Sequence, residues 1–180
     1  NIPKAAEFEN NTEKEKNVLY NIIVSYLNNA RKTNQISTEN LTKCKEGILK
    51  LGANDFDLLI KTWDVDLVHS LQNNDFENAL KISNAVSEKF PNGQTQLALF
   101  EIINKNTSTD QMNAFFEAKK VSTLKDLKTK VEKMKFYVQA AKFYSKSKNK
   151  TEAQNAFASA QKMGLFGKDL ISLKKEIGFK

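Results

Sequence analysis

Few side chains in this chain could do covalent or metal chemistry. Among 180 residues there is one histidine, His69, and one cysteine, Cys44. A Ser-His-Asp or Cys-His system can be written on paper. His69, however, stands among Leu67, Val68 and Leu71, the setting of a packed or capping imidazole rather than a general base. Cys44 lies in Leu41-Thr42-Lys43-Cys44-Lys45 and reads as a small hydrophobe on a helix. One cysteine leaves no internal disulfide and no cysteine-based zinc site. The acidic group Asp55, Asp57, Asp64 and Asp66 is the one metal candidate. It lacks the Gly-containing Asp-x-Asp-x-Asp-Gly loop and terminal Glu of a calcium site, and helical spacing makes it a solvated face. No Gly-x-Gly occurs, which excludes a glycine-rich phosphate loop. No paired carboxylate stands in an apolar setting that would shift its pKa. These residues point to no catalytic centre, no metal and no cofactor.

Lysine is what the chain has in quantity. Of 28 basic residues only Arg31 is arginine, and the formal net charge is +7. The bias toward Lys and Asn matches A-rich codons. It argues against base-specific nucleic-acid recognition, which favours arginine, while leaving a nonspecific backbone attraction open. The excess is not spread evenly. Residues 1–90 carry net −2 and residues 91–180 net +9, and Lys119–Lys150 alone holds eleven lysines against Asp126 and Glu132.

The elements that must position these residues are helices. Six Gly and two Pro in the whole chain are too few for the turns of a β-sandwich or barrel, and nothing alternates with period two. Val18, Leu19, Ile22, Ile23, Tyr26 and Leu27 repeat at three- and four-residue spacing, the mark of one buried helical face. Ser37 or Thr38 is placed to cap a second helix ending at Leu51-Gly52. A third spans about 54–72. Asp75 caps a fourth, stopped by Pro91-Asn92-Gly93, and a fifth covers about 95–104. Thr109 or Asp110 starts a sixth, Ser122-Thr123 opens a long stretch to about Lys146, either continuous or broken midway, Thr151 caps the next, and Asp169–Ile177 is the last. The expectation is an all-α protein of eight or nine helices in antiparallel pairs. Residues 1–14 read as an arm or linker end and 15–180 as one domain. No run approaches the roughly 18 apolar residues of a membrane span. The start at Asn1, without Met, is expected of a processed chain or excised domain.

Two segments repeat a pattern. One is Trp63-x-x-Asp66-Leu67-x-x-Ser70 followed by Asn74-Asp75-Phe76-Glu77-Asn78-Ala79 and Pro91. The other is Tyr137-x-x-Ala140-Ala141-x-x-Tyr144 followed by Asn149, Ala153, Phe157 and Ala160. Both resemble the tetratricopeptide repeat, a helix-turn-helix of about 34 residues with the pattern W-x2-L-G-x2-Y…A-x3-F…P. Asp66, Ser70, Ser83 and Leu165 depart from that pattern. The resemblance implies a short superhelix of stacked helix pairs that binds a partner protein. In such a fold the first helix of each pair lines the groove, which places Lys135, Val138, Lys142 and Lys146 toward a ligand with Gln139 beside them. Family members that grip C-terminal carboxylates use Lys, Asn and Arg, and this helix has neither an Arg nor a matching Asn.

At about 100° per residue, Lys125, Lys128, Lys135, Lys142 and Lys146 share one sector of a continuous helix. Leu127, Val131, Met134, Val138 and Tyr144 then form the apolar face, with Phe136 and Phe143 beside the lysines to meet a further repeat or a partner. The function expected is a non-catalytic module that docks another protein or an acidic peptide along Lys135, Lys142 and Lys146. An accessory helical domain of a larger secreted or periplasmic protein or enzyme, head-to-tail self-association, and nonspecific nucleic-acid binding through Lys119–Lys150 are the alternatives.

Overall fold

The computed structural model describes residues 13–51, 56–106 and 110–179. Among them are nine helices and no strand. They are α1 (Glu13–Thr33), α2 (Thr38–Lys50), α3 (Phe56–Gln72), α4 (Phe76–Lys89), α5 (Gly93–Asn106), α6 (Asp110–Asp126), α7 (Lys130–Lys146), α8 (Lys150–Lys162) and α9 (Gly167–Glu176). The fold is all-α, and the packing of its helix pairs is compatible with a helical repeat. No helix among the described residues is long and apolar enough to cross a membrane. Gly52, Asp55 and Thr109 lie outside the described residues, as does most of the expected arm at 1–14, of which Glu13 and Lys14 open α1.

The chain divides into two compact units, Asn1–Asn73 and Asn74–Lys180. Each has its own core. In the first, α1, α2 and α3 pack on one another, and Leu19, Ile23, Leu27 and Ala30 of α1 meet Leu41, Cys44 and Ile48 of α2 and Val65 of α3. Burial pushes the Cys44 thiol up to about 12, so Cys44 packs as a hydrophobe and carries no thiolate near neutrality. His69 lies with Nε2 2.9 Å from Thr38 Oγ1 and Nδ1 3.1 Å from Asn73 Nδ2. Asp64 and Asp66 do not form a solvated face. Asp64 is 6% exposed and its carboxylate lies 2.9 Å from Arg31 Nε, while Asp66 accepts from the Lys45 ammonium. Both acids serve packing of α3 on α1 and α2. The Asp57 side chain is not among those described, and no group of three potential metal ligands occurs among the described residues.

In the second unit α5 packs on α4, α6 and α7, α4 and α7 also pack on α6, and α8 packs on α7. Its centre is aromatic: Phe100 of α5, Phe115 and Phe116 of α6, and Phe136 and Phe143 of α7 are all buried. Phe116 stacks on Phe143 with ring centroids 4.4 Å apart and meets Phe100 edge-on at 4.9 Å, the offset and T-shaped geometries that ring quadrupoles favour.

Caps set most helix ends. Asp75 Oδ1 accepts the Asn78 N–H, as its position predicts. Two expectations fail. Ser122 and Thr123 start no helix; they lie inside α6, and both hydroxyls donate back to the Lys119 carbonyl, the side-chain bond with which Ser and Thr tolerate a helix interior. The break falls at 127–129 instead, so the expected stretch is two helices. Asn149, not Thr151, caps α8, with Oδ1 accepting from the Glu152 N–H at 3.2 Å. Gly93 at the start of α5 sits at a close approach. A Cβ there would lie 3.1 Å from Asp126 Oδ2, Leu127 Cδ2 and the Thr123 carbonyl oxygen.

Candidate functional site: the outer side of α7

Helix α7 starts on a capping box. Thr129 Oγ1 accepts the Glu132 N–H at 3.1 Å, and Glu132 Oε2 accepts the Thr129 N–H at 2.8 Å. Glu132 Oε1 also accepts from Gln94 Nε2 at 2.7 Å, tying the first turn of α7 to that of α5. The hydrogen bond from the Thr129 backbone, then those from Gln94 and the Thr129 hydroxyl, favour the ionised carboxylate and take its pKa from 4.5 to about 2. A depressed folded-state pKa adds stability that is complete above the unfolded value and is lost as pH falls toward the folded one. Glu132→Gln is therefore expected to be less stable than the parent at neutral pH, with the gap closing as pH falls from about 4.5 to about 2. Chemical denaturation across that range measures it, and a pH-independent gap would show that the ionised carboxylate is not what holds the cap.

The buried side of α7 carries Phe136, Gln139, Ala140, Ala141 and Phe143. This corrects the helical-wheel expectation. Val131, expected inside, is 57% exposed, and Phe136 and Phe143, expected beside the lysines, are buried. The break at 127–129 removes Leu127 from this helix, and α7 has neighbours on several sides, so one apolar stripe does not describe it. The phenylalanines meet preceding helices of their own unit.

The five expected partner-binding residues divide into two kinds. Gln139 is structural: its carbonyl oxygen and Oε1 accept from Asn104 Nδ2 at 3.0 and 2.9 Å, locking α7 to α5. Lys146 is structural as well, since its ammonium donates to the Asn104 carbonyl. Desolvation there lowers its pKa, the neighbouring Lys142 charge adds to the lowering, and Glu176 opposes it. Lys142 is half-buried and lies 2.8 Å from Glu176 of α9. Lys135 is exposed and has no ion pair among the described residues, and Val138 is half-buried. Lys135, Val138 and Lys142, at i, i+3 and i+7, form one outer stripe. Lys125 and Lys128 belong to α6 and the following loop, not to this stripe. The Thr129-x-x-Glu132 signature of the cap was present in the sequence, whereas the Asn104 partnership left no local signal.

A second, more apolar cleft of about 290 Å3 lies among α6, α7 and α8, lined by Phe116, Leu124, Tyr137, Ala140, Tyr144 and Ala156 among others. Lys120 stands at its edge, donating to the Tyr144 hydroxyl at 2.8 Å and lying 2.6 Å from Glu117. Those bonds raise the Lys120 pKa, and burial raises that of Tyr144. Comparison with known proteins finds no matching family model, curated protein or solved structure.

Proposed function

We propose that this chain is a non-catalytic helical-repeat module that binds another protein through an acidic segment laid along the outer stripe of α7. The observation that carries this reading is Lys135-Val138-Lys142: an unpaired cation, a half-buried apolar group and a singly paired cation, presented on a helix that the adjacent Asn104–Gln139 bonds fix to α5. A preorganised face loses less entropy on binding. The apolar contact supplies affinity, while the lysines supply on-rate and sign selectivity. The resemblance to tetratricopeptide repeats supports the same reading in the second motif segment. Ala141 of α7 and Ala153 and Ala160 of α8 have no exposure, as the close approach of two paired helices requires. A second reading, an accessory domain of a larger protein, draws support from Phe166 and Ile171 near α9, which are 80% and 67% exposed.

The test is the anisotropy of a labelled oligo-glutamate peptide bracketed by leucines, with its oligo-glutamine counterpart as control. Lys135→Glu combined with Lys142→Gln is expected to weaken binding about tenfold at low salt and to flatten its salt dependence, with the helical CD signal unchanged. Lys146 is left alone because it bonds the Asn104 carbonyl. An unaltered Kd in the double variant, or equal binding of the glutamine peptide, would rule the stripe out.

A further inference from the structure

Three lysines of the basic segment line a separate cleft at the start of α5. It has a volume of about 430 Å3 and lies between the α4–α5 turn and the end of α6. Lys119, Lys125 and Lys128 line it, and none of the three forms an ion pair among the described residues. Asp126 is the one carboxylate among the lining residues, and it accepts the Gly93 N–H that opens α5. The helix N-terminus is thus already occupied by an internal anion, and the charge left facing the cleft is an excess of cations over that single carboxylate.

The floor of the cleft adds a hydrogen-bonding group. Gln96 is 7% exposed. Its Oε1 is 3.1 Å from Ser87 Oγ, which also lies 2.7 Å from the Ser83 carbonyl oxygen. The Gln96 Nε2 donors have no partner among the described residues and open on the cleft that Gln96 lines. This amide is not one of the buried unpaired groups, so it is open to water or to a ligand that enters the cleft. The neighbouring Ser122 hydroxyl and the exposed Asn92 amide at the rim are further hydrogen-bonding groups.

We propose that this cleft binds a small-molecule phosphate monoester. Three ammonium charges set against one carboxylate leave +2, which matches a phosphate monoester at −1.5 to −2 and exceeds what one carboxylate ligand would neutralise. Lysine acts on phosphate as a point charge and needs no bidentate geometry. The Gln96 amide then takes one phosphate oxygen at the floor, and the volume beyond the phosphate holds the organic part. The same spacing that reads as one stripe on a continuous helix is thereby divided: Lys135 and Lys142 belong to α7, and Lys125 and Lys128 to this cleft.

The experiment is an NMR titration of the 15N-labelled protein with glycerol 3-phosphate, with inorganic phosphate, and with glycerol plus sodium chloride at matched ionic strength. Glycerol 3-phosphate is expected to shift the Gln96 side-chain amide and the Gly93 backbone amide saturably, and inorganic phosphate to do so more weakly. The chloride control is expected to leave both unshifted. Lys125→Gln with Lys128→Gln, both at exposed positions, should raise the Kd about tenfold. Lys135→Glu should leave it unchanged, which separates this site from the α7 stripe. The proposal is overturned by the absence of a saturable shift, by chloride reproducing it, by a Kd unmoved in the double variant, or by inorganic phosphate binding as tightly as the ester.

Discussion

Replacing Phe116 by alanine is expected to destabilise the protein by about 3–5 kcal/mol, the range for deleting a large aromatic from a packed core. Phe116 is 1% exposed. Its ring stacks on Phe143 with centroids 4.4 Å apart and on Phe136 at 6.1 Å, and it meets Phe100 and Tyr144 edge-on at 4.9 and 5.7 Å. Phe116 of α6 touches both α5 and α7, so truncation loses contacts on two sides. The rings around it cannot all move into the space, because each packs against others. Phe116→Leu keeps most of the volume and should cost less, about 1–2 kcal/mol. Urea denaturation followed by far-UV CD measures both. An alanine variant within about 1 kcal/mol of the parent would mean that this cluster collapses on the cavity and is not tightly packed. A loss of that size is a large share of the roughly 5–15 kcal/mol typical of a domain, so binding by such a variant is to be compared only after its folded fraction is measured.

Much of the architecture was legible in the chain because its determinants are local. Leu19, Ile23 and Leu27 mark the buried face of α1 by spacing alone, and all three are core residues. Asp75 announces the helix start it makes. What failed depends on groups distant in sequence. Asp64 and Asp66 read as solvated until Arg31 and Lys45, 33 and 21 residues earlier, are placed against them. The wheel drawn through Lys125–Lys146 presumes one helix. Ser122 and Thr123, equally able to cap a helix or to bond back within one, gave no means of locating the break. The second motif segment falls within one unit, on α7 and α8, whereas the first spans the division at Asn73–Asn74. The candidate stripe was half legible. Spacing placed Lys135, Val138 and Lys142 on one side of a helix, and all three lie on α7. It had no way to show that Gln139 and Lys146 are held by Asn104, 35 and 42 residues away.

That residue gives the second large expected effect. Asn104→Ala should cost about 1–3 kcal/mol, because it removes the donor to two acceptors on Gln139 and leaves the side-chain Oε1 unsatisfied, while the carbonyl keeps its helical partner. Asn104 is 4% exposed and Gln139 8%, so water does not readily replace the lost amide. A partial offset comes from Asn104 Oδ1, which is buried without a hydrogen-bond partner and disappears in the variant, holding the cost below that of Phe116→Ala. The backbone carbonyl that accepts the Lys146 ammonium is retained, so the substitution isolates the side-chain amide. A double-mutant cycle with Gln139→Ala separates the pair from its surroundings. Once the Gln139 amide is gone, removing Asn104 strands fewer acceptors, and the two losses should fall short of additivity by about 1 kcal/mol. Additive losses would show that the amides do not hold α7 to α5 through each other. The outer stripe would then owe its position to the aromatic cluster alone. In that case Asn104→Ala should bind the acidic peptide as the parent does, whereas a face fixed by the amide bond should bind it more weakly while α7 remains helical.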